Sequence, residues 1–152
     1  MKWSRLIPVL TLLAVFSTSV FAAEIGVRAG RYNDAEEEFV GVEATFGDRL
    51  QFNPNIEYIL TDNDNLAITA NADLLYKFGT AAIKPYVGGG IGVLYNDDDF
   101  FGDTTEPLFN VIGGVRWDLE FLSPYVQVKY FKLFEDDEVE GDDIAFTIGL
   151  RF

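Results

Sequence analysis

The chain offers chemistry almost entirely through its carboxylates. Twenty-five Asp and Glu stand against eleven Lys and Arg, with no His and no Cys anywhere. That inventory removes histidine bases, thiol nucleophiles and Cys/His zinc sites at once. Beyond residue 22 there is a single Ser, Ser123, placed before Pro124 where turn chemistry is its natural use. The densest acidic runs, Asp97-Asp98-Asp99 and Glu135-Asp136-Asp137-Glu138, are hard-oxygen donors of the kind calcium or magnesium takes. Their spacing fits no defined loop: a twelve-residue calcium frame begun at Asp97 would put Phe101 and Leu108 on ligand positions. They read as a solvated anionic rim, with loose divalent-ion contact as the expectation. Gly88-Gly89-Gly90 lies inside a strand pattern with no helix after it, so it is a sheet feature and not a phosphate cradle. No catalytic residue, cofactor or dedicated metal site is expected. The net charge of −14, without a basic stripe, argues against nucleic acid.

The elements that hold these groups begin after residue 22. Lys2 and Arg5 precede an apolar run over 6–16, and small residues end it with Val20 and Ala22 in cleavage-site spacing. Residues 1–22 therefore read as a cleaved secretory signal, and residues 23–152 as one domain. Cleavage would leave nine basic residues against all 25 acids. From residue 24 the apolar positions recur with period two, the strand period. Eight such segments cover 24–32, 39–46, 50–60, 66–78, 83–95, 108–119, 125–134 and 144–152. An even number of strands of this length predicts an all-β, eight-stranded antiparallel up-and-down transmembrane β-barrel. The connections 47–49, 79–82 and 120–124 are tight, and alternate with mostly longer polar ones at 33–38, 61–65, 96–107 and 135–143. In a meander that puts the longer loops, with 18 of the 25 acids, at one rim.

Each segment has one apolar and one polar face. The polar face is rich in Gly, Thr and Asn with isolated charges, which suits a narrow lumen; a water-exposed wall would carry many Lys and Glu. Ten of those charges, Arg28, Glu43, Glu57, Asp73, Lys77, Lys84, Arg116, Asp118, Lys129 and Arg151, are candidates for an internal ion-pair network, since buried charge is tolerated only when paired. The apolar face carries Phe46, Phe78, Trp117 and Phe152 near the tight turns and Tyr58, Tyr95 and Tyr130 near the loops, as two interfacial girdles would. Ile59, Leu75, Leu94, Ile112 and Phe131 break the pattern by falling on the polar side, as interior packing or register-shifting bulges would make them. Inverting the faces would give a soluble periplasmic ligand-binding barrel instead.

Three stretches, Lys84-Pro85-Tyr86-Val87-Gly88-Gly89-Gly90-Ile91-Gly92, Ser123-Pro124-Tyr125-Val126-Gln127-Val128-Lys129-Tyr130 and Ala145-Phe146-Thr147-Ile148-Gly149-Leu150-Arg151-Phe152, resemble the small outer-membrane β-barrel family, OmpA-like, OmpX-like and porin-like. The resemblance spans residues 23–152 and implies an outer-membrane location with the longer loops outside. It also implies that the last strand is read by the barrel assembly machinery, with Phe146, Ile148, Leu150 and Phe152 in the recognised positions. The implied partners are outer-membrane lipid and lipopolysaccharide, whose phosphates divalent ions could bridge to the loop acids. The fold transfers no activity by itself. A structural or interaction role comes first, and a narrow porin-like conduit for small or hydrophobic solutes second.

Overall fold

The structure is a computed structural model that describes residues 23–61, 65–98, 102–134 and 141–152. The expected signal segment lies outside them, as do Asp62, Asp64, Asp99 and the acidic run at 135–140. Eight strands follow in order: β1 (Glu24–Tyr32), β2 (Glu38–Thr45), β3 (Leu50–Leu60), β4 (Leu66–Lys77), β5 (Ile83–Asp98), β6 (Gly102–Trp117), β7 (Ser123–Leu133) and β8 (Asp142–Arg151). Each pairs antiparallel with its sequence neighbours, and β8 returns to β1 from Gly26↔Arg151 to Tyr32↔Ala145, so the sheet closes into a barrel. Closure leaves no edge strand with unpaired N–H and C=O groups, the condition for a sheet in hydrocarbon. The start of β1 and the end of β8 share one rim with the tight turns after β2, β4 and β6. In the first of these, Gly47 has φ +104°, and a Cβ there would lie 2.3 Å from the Leu50 carbonyl oxygen. A side chain is excluded on both counts.

One element differs from the sequence reading. The 96–107 connection is not a loop: β5 and β6 run on to pair Asn96↔Thr104, Asp97↔Asp103 and Asp98↔Gly102. Hydropathy alternation disappears there because the side chains of a hairpin that rises past an apolar belt need no apolar face, while the backbone ladder still satisfies itself. Thr104 and Thr105 are the β-branched trace of the hairpin in the sequence.

The faces divide as their chemistry demands. Ile91 (67% exposed), Ile148 (64%) and Val42 (57%) point outward among a continuous set of aliphatic residues, and Val87 and Val128 join them. Arg116, Asp73 and Glu57 are buried. A wall this apolar and this contiguous is a surface that hydrocarbon solvates; water would not. The inverted, soluble-carrier arrangement is not the one observed. Among the described residues no helix is long and apolar enough to cross a membrane, and the crossing elements are strands. Aromatic pairs mark both ends of the outer wall: Phe46 with Phe52 and Tyr76 with Phe78 near the tight turns, Phe109 with Phe134 near the loops.

The pattern-breaking residues are lumen filling. Leu75 and Ile112 pack with Tyr86 and Tyr125 in one internal cluster. Ile59 joins Tyr32, Phe39, Ala67 and Ala145 in a second, against which Leu94 and Phe131 lie. Every ladder keeps one continuous register through them, so no bulge is involved.

Candidate functional site

The lumen holds the charges that local sequence alternation turned inward. Eight of the ten candidates form ion pairs. At mid-barrel Glu57, fully buried, accepts from Lys129 Nζ at 2.9 and 3.0 Å, faces Arg28 Nη2 at 3.2 Å, and takes hydrogen bonds from the Tyr32 hydroxyl (2.7 Å) and Thr69 (3.1 Å). Glu43 accepts from Arg151 Nε at 2.8 Å, Arg28 Nη1 at 3.3 Å and Asn53 Nδ2 at 3.0 Å. The other two candidates stand apart. Asp73, also fully buried, is held by amides, accepting from Asn55 Nδ2 at 2.8 Å and Asn110 Nδ2 at 2.9 Å, with no ion pair among the described residues. Lys77, near the tight-turn end, likewise makes no ion pair among them, though Asp118 and Glu24 act on it from a distance.

Lumen glycines explain how these side chains reach one another. Gly26 lies between Arg151 and Glu43 on one rung, and Gly41 lies between Arg28 and Glu57. Gly90 separates Asp73 from Asn110, and Gly114 separates Tyr86 from Gln127, whose Oε1 accepts the Tyr86 hydroxyl at 2.9 Å. In each case a long polar side chain crosses the space that a middle side chain would fill. A Cβ at Gly90 would stand 2.2 Å from Asp73 Oδ1, and one at Gly114 2.5 Å from Tyr86 Cζ, whereas one at the outward Gly113 meets nothing within 4 Å. Gly114→Ala should therefore cost about 1–3 kcal/mol in urea unfolding through overpacking. Gly113→Ala, one residue away, should be neutral or slightly stabilising, because strand glycine is itself unfavourable. Equal effects at the two positions would refute the spacer role.

At the tight-turn end Arg116 donates to Glu24 at 2.6 Å and pairs with Asp118, which also pairs with Lys84. Ser123 Oγ joins this cluster, accepting from Arg116 at 3.1 Å and donating to Asp118 at 3.2 Å. Partial burial pushes the Asp118 carboxyl upward, but hydrogen bonds from Lys84 and Arg116 outweigh it and hold the group at about 2, below its usual 3.8. Because the folded carboxyl titrates lower than the unfolded one, its stabilisation is complete above about pH 4 and is lost as pH falls towards 2. Asp118→Asn should cost about 1 kcal/mol at pH 6, and the gap to wild type should close between pH 4 and 2 in acid-unfolding curves.

Sequence reasoning left out the aromatic contribution to the lumen. Tyr86 and Tyr125 point inward, and the Arg151 guanidinium lies 4.3 Å from the Tyr125 ring centroid. Tyr32 and Phe39 are inward too, with ring centroids 5.0 Å apart. Parity carried the signal: Tyr86 shares the face of Lys84 and Gly88, and Tyr125 that of Gln127 and Lys129. Above the Tyr32 layer, at the loop end, the lumen opens into a cavity of about 260 Å³. There Asp143 accepts the backbone N–H groups of Asp34 (2.8 Å) and Ala35 (3.1 Å), tying the β1–β2 connection to β8. Phe146, Ile148 and Leu150 face outward on β8, where the barrel closes, and Phe152 is exposed just after it. Among the described residues no group of three or more acids is arranged to hold a metal ion.

No protein-family model matches the chain, and no curated protein sequence matches it. Solved structures do. Neisserial surface protein A superposes with a TM-score of 0.68 at 16% identity, over 85% of this chain and 95% of that one. The N-terminal β-barrel domain of Pseudomonas aeruginosa OprF gives 0.68 at 17%, over 86% and 96%. The fold is that of the small outer-membrane barrels. At such identities the likeness is one of architecture alone. The same architecture carries an outer-membrane enzyme, PagL, at TM-score 0.57 and 11% identity over 84% of this chain and 97% of that one.

Proposed function

We propose that this barrel resides in an outer membrane, exported by a signal over residues 1–22, and serves a structural and interaction role without catalysis. Its acidic loop rim faces outward towards lipopolysaccharide, with divalent ions bridging carboxylate to phosphate, and its terminal strand presents Phe146, Ile148, Leu150 and Phe152 to the assembly machinery. The observation that carries the reading is the filled lumen. Between the Tyr86–Tyr125 layer and the Tyr32–Phe39 layer, ion pairs and amides span the whole section, leaving side chains where a conduit would need water. Purified protein in planar bilayers should show little sustained current, and a steady ohmic conductance would favour the porin-like reading instead.

A further inference from the structure

The cavity at the loop end is the place where the lumen is built but not filled. Its wall is apolar, formed by Ile59, Leu94, Leu108, Phe131 and Leu133. Ile59, Leu94 and Phe131 also pack on the Tyr32–Phe39 cluster that closes the cavity from below. At its base stand Tyr32, Lys129 and Asn71. The Lys129 charge is already matched by Glu57. Asn71, only 6% exposed, lines the cavity and has an Oδ1 that accepts no hydrogen bond. Asp34, Glu37, Asp142 and Asp143 line the mouth, where the Asp143 carboxylate holds the Asp34 and Ala35 N–H groups and that of Asp142 accepts the outward Tyr130 hydroxyl. A small concavity with apolar walls and, among the described residues, acids around its rim has the composition of a ligand site.

We propose that this cup binds small amphipathic amines, with an aryl or alkyl body of about ten non-hydrogen atoms inside and the ammonium group at the acidic mouth. The orientation follows from the charges. A cation driven inward would meet Lys129, whereas at the mouth it meets Asp34 and Glu37, and the anionic rim raises its local concentration before it enters. An anion of the same shape would be excluded by the same four carboxylates, so charge, and not size, discriminates at this site.

The test pairs tyramine with its carboxylate counterpart, 3-(4-hydroxyphenyl)propanoate, titrated into the ¹⁵N-labelled full barrel in zwitterionic micelles. Tyramine should give saturable shifts of the Leu94, Leu108 and Phe131 amides, and the carboxylate should bind at least tenfold more weakly. Leu94→Trp, which fills the cup, should abolish the tyramine response. Asp34→Asn with Glu37→Gln, at the mouth, should bring the two probes to within about threefold of each other by weakening the amine. Should Leu94→Trp lose the folded band on unheated gels, the mouth variant and the wild-type comparison decide alone. Shifts that never saturate, or a carboxylate that binds wild type as tightly as the amine, would overturn the assignment.

Discussion

Glu57→Ala should remove about 3–5 kcal/mol of barrel stability, measured by urea unfolding with tryptophan fluorescence. The carboxylate is fully buried and is the ion-pair partner of Lys129, which has no other among the described residues; it also answers Arg28 and the hydroxyls of Tyr32 and Thr69. Truncation strands a buried ammonium and two buried hydroxyls, and stranding a charge costs far more than the pair itself contributes. Glu57→Gln keeps the volume and an acceptor, so it should lose about half as much. Combining it with Lys129→Met should cost less than the two single changes together, because neither charge is then left alone. A Glu57→Ala barrel within about 1 kcal/mol of wild type would mean that water replaces the carboxylate freely. The filled-lumen reading, and with it the expectation of low conductance, would then fall.

Ile148→Arg should destabilise the folded barrel by about 2–4 kcal/mol, the cost of a guanidinium held against hydrocarbon near mid-membrane. Ile148 is 64% exposed and pairs with Ala29 and Val126, in the aliphatic belt between the two aromatic ends. Ile148→Leu is the control and should stay within about 1.5 kcal/mol. Urea unfolding in lipid vesicles separates this from a soluble surface, where an exposed Arg would be neutral. A silent Ile148→Arg would remove the physical ground for placing this wall in lipid.

These two substitutions probe opposite faces of one alternation, and that alternation was legible in the residues. Ile144, Phe146, Ile148 and Leu150 against Ala145, Thr147, Gly149 and Arg151 show a strand with unlike sides without any knowledge of its neighbours. Local periodicity misled where local needs changed. At 96–107 the strands outrun the apolar belt and their side chains stop alternating in hydropathy. Tyr86 and Tyr125 were hidden by the opposite effect: tyrosine suits a girdle as well as a lumen, and only its parity with Gly88 and Gln127 tells the two apart. Asp73 and Lys77 are inward as their parity requires, yet parity carries no information about partners, and neither has an ion pair among the described residues.

By itself the sequence determined the number of strands, their meander order, which ends carry tight turns and which face of each strand is apolar. Those properties depend on residues one, two or a few positions apart. Tertiary structure alone decided which charges meet. Arg151 and Glu43 are 108 residues apart and touch because β8 closes onto β1 and Gly26 between them leaves the rung empty. Register around a closed sheet fixes such encounters, and register is a property of the whole ring of ladders that no single strand contains.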